Sequence, residues 1–225
     1  WKFIGESEFK LFSFYFSIIS FYLVGLYDDK FFLNYQIKII LFVLILYICL
    51  TLDPTLVVNK IEVSFSDKII YLNDFSKLFS ILCFFVFINS LNLYDGIDLQ
   101  AGSYIFIFFL TLGLITNNEL FLYLCIPVAF FLILNRKKEV FLGDNGALLV
   151  GFTISYFTIK TYNSEIEIFT DEILILMMLP VIDMSRLFLF RLSKGKNPFK
   201  GDRDHIHHIL INKFGYNKTI IILNL

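Results

Sequence analysis

Charge is scarce in this sequence. Of 225 residues only 17% are Asp, Glu, Lys or Arg, while 57% are apolar and 19% aromatic, including 29 Phe. A soluble domain carries about 25% charged residues, so disorder and a conventional water-soluble fold are both excluded by composition. One compact domain of this length could not hide so much apolar surface from water, and the lipid bilayer is the simplest solvent for it. Neither sign of charge dominates: 19 basic side chains stand against 20 acidic ones, which leaves no field to draw in nucleic acid. Cysteine is nearly absent. Cys49, Cys83 and Cys125 sit in separate apolar runs without CxxC spacing, so they read as packing residues and not as a disulfide or metal framework. There is also no basic leader or cleavage site after Trp1, and the chain stops inside an apolar stretch at 220–225; both ends read as cut.

What the sequence has in abundance is apolar runs. They cover residues 11–26, 39–52, 78–93, 101–116, 120–134, 147–159 and 173–190. Only helices and closed barrels satisfy their backbone polar groups in hydrocarbon, and barrel strands would alternate polar with apolar. The expected fold is therefore an all-α polytopic membrane protein of about seven complete transmembrane helices plus a partial one, forming a single domain over 1–225. Pro127 and Pro180 are expected to kink their helices. Residues 57–72 differ: β-branched residues around a Ser-Asp turn predict a small hairpin outside the membrane. If the runs alternate direction, most Lys and Arg fall on one side, which the positive-inside rule makes cytoplasmic.

Four polar clusters fall at that same surface: Asp28-Asp29-Lys30; Asn89, Asn92, Asp95, Gly96 and Asp98; Phe141-Leu-Gly143-Asp144; and Asp202-Arg203-Asp204-His205-Ile-His207-His208. Ionisable groups beside apolar spans are costly unless solvated or paired, so their convergence is a functional signal. Asn89, Asn92 and Asp95 recur every three residues, which predicts one helical face. With Asp144 opposite, such oxygens suit a hard cation such as Mg²⁺, although Asn and Asp also cap helices. Asp28 and Asp29 are adjacent carboxylates, a candidate general base or a solvated helix end. The imidazoles and Arg203 suit sugar hydroxyls and diphosphate oxygens better than a metal, with topological anchoring as the plainer alternative for most of the basic residues.

In this order, with spans between them, the motifs resemble the polyprenyl-phosphate N-acetylhexosamine-1-phosphate transferases, the MraY/WecA-like membrane enzymes. The series runs from Asp28-Asp29 through Asn89-x-x-Asn92-x-x-Asp95-Gly96-x-Asp98, Phe141-Leu-Gly143-Asp144 and Pro180-x-x-Asp183 to Asn197-Pro-Phe-x-x-Asp202-Arg203-x-His205-x-His207-His208. The ending is closest to the WecA and TagO branch. The resemblance implies transfer of a sugar 1-phosphate from a UDP-N-acetylhexosamine to undecaprenyl or another polyprenyl phosphate. The products would be lipid diphosphate-sugar and UMP, an initiating step of cell-envelope glycan synthesis at the bacterial inner membrane. It implies Mg²⁺, with Mn²⁺ as an alternative, on Asp144 and Asn92, and Asp28, Asp29 and Asp144 as catalytic carboxylates. Asp95, Gly96, Asp98 and Phe141 would face the nucleotide, and Arg203, His205, His207 and His208 the sugar and diphosphate. A homodimer is left open, and no nucleic-acid partner is implied.

The chain departs from the family pattern in places. Leu99-Gln100-Ala101 stands where the family continues Gly-Leu-Ala, and Phe32 and Gln36 stand where the first motif carries another Asp and a Lys, with Lys38 nearby. The stretch before Phe141 lacks the usual Pro-Ala, which weakens a nucleotide role for Asn135. Two rival readings are a polytopic transporter, which would favour polar breaks at mid-span and internal repeats, and a decayed, non-catalytic relative.

Overall fold

A computed structural model describes residues 8–164, 168–195, 210–211 and 213–224. Its elements are α1 (Glu8–Phe31), α2 (Tyr35–Leu52), a hairpin of β1 (Lys60–Val63) and β2 (Ser66–Tyr71), α3 (Ser76–Tyr94), α4 (Gln100–Thr116), α5 (Glu119–Arg136), α6 (Gly143–Tyr162), α7 (Thr170–Ser193) and α8 (Tyr216–Asn224). Each apolar run forms one helix, α1 to α7. Helix starts are set by local chemistry: the Asn34 and Asn118 side chains accept from the backbone N–H groups of Gln36 and Leu120 and so cap α2 and α5. Pro127 and Pro180 lie inside α5 and α7, which continue through them.

Among the described residues five helices are long and apolar enough to cross a membrane: α1, α2, α3 with the short turn before it, α5 and α7. The chain is thus an integral membrane protein, and five of the seven apolar runs expected to span lie in helices that meet this measure of length and composition. α4 has 17 residues, at the lower end of the length that can cross hydrocarbon. α6 carries Asp144, Asn145 and Lys160 and is buried along most of its length, so protein packing and not lipid contact fixes it.

The chain divides into two compact units, residues 1–92 with 143–177, and residues 93–142 with 178–225. In the first, α1 packs along α6, and the fully buried Phe21 lies 5.2 Å from both Phe42 of α2 and Phe152 of α6. Aromatic groups at such spacing supply most of the core contact area. Near the start of α1, Ser13 donates to the Cys49 carbonyl near the end of α2; α1 is therefore antiparallel to α2. Gly25 brings α1 onto the first turn of α6. A Cβ there would meet the Asn145 Cα at 2.4 Å, so only glycine permits the approach.

The hairpin forms, with Lys60 opposite Tyr71 and Val63 opposite Ser66, but its turn is Ser64-Phe65; the Ser66-Asp67 pair expected to turn begins β2. The Tyr162 hydroxyl donates to the Lys60 carbonyl and accepts from the Glu62 N–H, both at 2.9 Å, which ties the hairpin to the end of α6. Beside it lies a sealed polar cluster. The Lys160 ammonium sits 3.6 Å from Asp53, with the two side chains 5% and 0% exposed. The Tyr156 hydroxyl donates to Asp53 and accepts from Lys160, while Asp53 also accepts from the Thr55 N–H. In the second unit α4 packs on α5, with Phe108, Leu112 and Phe121 buried and Tyr94 edge-on to Tyr104 at 5.7 Å. The three cysteines are all free.

Candidate active site

The first unit gathers four side chains from four helix ends. Asp28 is in the last turn of α1, Lys38 in the first turn of α2, Asn92 near the end of α3 and Asp144 in the first turn of α6. The Lys38 ammonium donates to Asp28 Oδ2 at 2.6 Å, to Asp144 Oδ2 at 3.0 Å and to Asn92 Oδ1 at 3.3 Å. Asn92 Nδ2 donates in turn to Asp144 Oδ1 at 2.9 Å. Asp28 is fixed further by the Leu33 N–H, which donates to its Oδ1 at 2.6 Å. The cluster stays open on one side, since the Asp144 side chain is 36% exposed against 14% for Lys38 and 12% for Asp28.

The adjacent acids do different work. Asp29 turns away from Lys38 and accepts from the N–H groups of Asp144 at 2.9 Å and Asn145 at 3.2 Å, capping α6 from a neighbouring helix. Gly143 completes the joint at φ +64°, in the left-handed region that favours glycine, and a Cβ there would come within 3.1 Å of Asp29. Gly25, Asp28 and Asp29 share one face of α1 by their three- and four-residue spacing, so one helix face aligns α6 and supplies the carboxylate beside Lys38. Asp144 lies ahead of the apolar run of α6. Burial works to raise its pKa, but the bond with Asp28, the Lys38 charge and the hydrogen bond from Asn92 outweigh that and hold it below the usual carboxylate value.

The expected common face of Asn89, Asn92 and Asp95 does not form. α3 ends at Tyr94 and Asp95 lies beyond it, while Asn89 donates to the Phe85 carbonyl of its own helix. A three-residue spacing predicts one face only while the helix lasts. Of the three, Asn92 alone reaches Asp144.

In the second unit, Asp95, Gly96, Asp98 and Phe141 line a cavity of about 320 Å³ together with Ile97, Asn135, Leu142 and Tyr216. That is at the small end of ligand pockets. Asn135, which is 4% exposed, holds two walls together: its Oδ1 accepts from Leu99 N at 2.6 Å and its Nδ2 donates to the Val140 carbonyl at 2.8 Å. Leu99 has φ +69°, a strained value for a residue with a side chain, at the position where the family pattern has Gly. The Tyr216 hydroxyl donates to the Asp98 carbonyl at 2.9 Å; burial, with the Asp98 charge adding to it, raises its pKa and keeps it a donor. The Phe141 ring is 70% exposed and free to stack on a planar group.

Three side chains were not singled out as site residues from sequence. Lys38 carried one signal, a lone charge among Ile37, Ile39 and Ile40. Asn135 carried only a weakened family signal, and Tyr216 carried none, because its partner Asp98 is 118 positions away. Arg203, His205, His207 and His208 lie outside the described residues.

Asp144 and Asn92 also fit the divalent cation that the resemblance implies. Both offer oxygen, and they already sit within one hydrogen bond of each other. Among the described residues no three His, Cys, Asp or Glu side chains form a closed cage. An oxygen pair of this kind suits Mg²⁺, which takes one or two protein ligands beside waters and substrate phosphates.

A family model described as glycosyl transferase family 4 matches residues 11–162. Similar proteins from several bacteria carry the name undecaprenyl-phosphate alpha-N-acetylglucosaminyl 1-phosphate transferase. Those of Salmonella typhi and Escherichia coli strain K12 are each 26% identical over 216 residues, covering 90% of this chain and 59% of the relative. That of Thermotoga maritima is 30% identical over 226 residues, covering 97% of this chain and 66% of the relative. The chain therefore spans about three-fifths of the length of most relatives it matches.

Proposed function

Because the chain belongs to glycosyl transferase family 4, we propose that it transfers an N-acetylhexosamine 1-phosphate from its UDP conjugate to undecaprenyl phosphate, releasing UMP. The observation that carries this reading is the cluster of Asp28, Lys38, Asn92 and Asp144, held by hydrogen bonds of 2.6 to 3.3 Å. A polyprenyl phosphate is a membrane-bound substrate, and a multi-helix membrane protein is a suitable carrier for its acceptor site. The basic-rich loops favour the cytoplasmic face of the inner membrane, where UDP-sugars are made.

In this reaction an oxygen of the lipid phosphate attacks the phosphorus that bears the sugar. The bond from that phosphorus to the bridging oxygen of UMP breaks, and UMP leaves with the oxygen. Such transfers depend on positioning and charge neutralisation more than on covalent help from the protein, and a phosphate dianion is itself a competent nucleophile, which favours direct attack. Asp28 is the candidate base for any remaining proton on the lipid phosphate, and Lys38 sets its orientation. Asp29 is assigned to holding Asp144 in place. Mg²⁺, bound by Asp144 and Asn92, would neutralise charge on the diphosphate. In the second unit Phe141 would stack on the uracil ring, with Asp95, Gly96, Asp98, Asn135 and Tyr216 around it; Arg203, His205, His207 and His208 are assigned to the sugar and diphosphate by the family motif.

The test uses the protein in membranes with labelled UDP-GlcNAc and undecaprenyl phosphate. An organic-soluble label that forms with the native protein and falls about a thousandfold or more in Asp144→Ala supports the reading; several kcal/mol of transition-state stabilisation are at stake. No label from the native protein would leave a decayed relative as the better account. Near-normal label from Asp144→Ala would remove that residue from the mechanism.

A further inference from the structure

The three N–H donors of the Lys38 ammonium are matched one for one by three oxygens, from Asp28, Asn92 and Asp144. Two of these, Asn92 Oδ1 and Asp144 Oδ2, belong to the residues assigned above to the divalent cation. An ammonium and a dication cannot share those oxygens at close range without repulsion. The contacts are also unequal. The bond to Asp28 is 2.6 Å, and Asp28 is itself locked by the Leu33 N–H, whereas the bonds to Asp144 and Asn92 are 3.0 and 3.3 Å. Lys38 is a flexible four-carbon stem ending in a point charge, anchored in the first turn of α2 and able to pivot on one partner while leaving two.

We propose that Lys38 is a resident counter-cation that holds Asn92 and Asp144 together in the metal-free protein and yields them when a divalent ion binds, retaining Asp28 as its pivot. This inference rests on the metal assignment under Proposed function. Without Lys38, two carboxylates would face each other with no neutralising charge at all. With it, the site is assembled before metal arrives, at the expense of metal affinity. Ion binding and release of the ammonium are thus linked, and by that linkage any group that draws Lys38 away from Asp144 strengthens metal binding by the same factor as metal favours that group.

The measurement is Mn²⁺ binding to the detergent-solubilised chain, followed by electron paramagnetic resonance without nucleotide or lipid. The proteins are native, Lys38→Met, Lys38→Gln and Asp144→Asn, with size-exclusion profiles to check folding. Removing the competing charge is expected to tighten Mn²⁺ binding at least about fivefold, at the lower bound of ordinary site coupling, and to lower the thermal midpoint of the metal-free protein. Lys38→Gln covers the case in which the methionine variant does not fold. Binding that Asp144→Asn abolishes but that neither Lys38 variant improves overturns this inference and leaves the metal assignment standing. No saturable Mn²⁺ binding by the native protein or by any Lys38 variant overturns both.

Discussion

The first unit holds two lysine–aspartate clusters at opposite ends of the same helices. One joins Asp28, Lys38, Asn92 and Asp144; the other joins Asp53, Tyr156 and Lys160. Lys38 and Asp53 bound α2, and Asp144 and Lys160 lie in the first and last turns of α6, so the clusters are on the order of 20 Å apart. Their chemistry differs more than their composition. At the sealed end the Asp53 carboxylate meets the Lys160 ammonium, both at most 5% exposed, and Tyr156 and Thr55 bond to them as well. At the open end two carboxylates share one ammonium, and Asp144 reaches solvent. A buried, sealed ion pair holds a fold together. A cluster with spare negative charge and an opening has capacity for a cation, and this difference in closure and charge, more than the presence of ionisable groups, separates structure from function.

Exchanging the damage between the two ends tests that contrast most severely. Lys160→Met leaves the fully buried Asp53 carboxylate without its ammonium and is expected to cost about 3–5 kcal/mol of stability, read as a large fall in thermal midpoint. The double variant Asp53→Leu with Lys160→Met removes both charges and is expected to recover most of the loss. Asp144→Ala, by contrast, is expected to leave the midpoint close to native while abolishing transfer. If Asp144→Ala unfolds the protein and Lys160→Met only slows turnover, the distinction is wrong.

A smaller effect is expected at Gly25. The added methyl of Gly25→Ala would overlap the Asn145 backbone, and overpacking of this kind costs about 1–3 kcal/mol. Because the same face of α1 sets Asp28 and Asp29, turnover should fall further than stability alone explains, which steady-state rates at equal folded concentration would reveal. The smallest effect is expected for Tyr156→Phe. It removes a hydroxyl that bonds both Asp53 and Lys160, for about 1 kcal/mol, and transfer measured in membranes should be unchanged. A loss of activity there would mean that the sealed end communicates with the open one.

Much of the helical architecture was legible in the chain because hydrocarbon allows so few backbone solutions; every apolar run from 11–26 to 173–190 became a helix. The hairpin at 57–72 was legible from its β-branched residues, while its turn lies two residues before the expected Ser-Asp pair. The burial of α6 was not, since its apolar run looks like the others yet the helix carries Asp144 and Lys160 and is packed against protein along most of its length. At the open cluster, Asp28, Asn92 and Asp144 could be named from motif order, and the structure brings them together. Lys38 was legible only as a lysine near the place of the family's own, because a lysine at the edge of an apolar run looks the same whether it is an anchor or a hub. Asp29 was visible only as half of an acidic pair. Its task of capping α6 depends on backbone N–H groups 115 and 116 positions away.

By itself, then, the sequence determined that this protein is a set of membrane helices carrying acids and amides in a family-specific order, because burial of apolar side chains and backbone hydrogen bonding act locally along the chain. Tertiary structure decided which acids are neutralised, which remain open, and which hold a neighbouring helix in place. Those outcomes depend on charges 106 or 107 residues apart meeting within 4 Å, as Lys38 meets Asp144 and Lys160 meets Asp53, and the Coulomb energy of such a pair is set by its separation in space and its exposure to water.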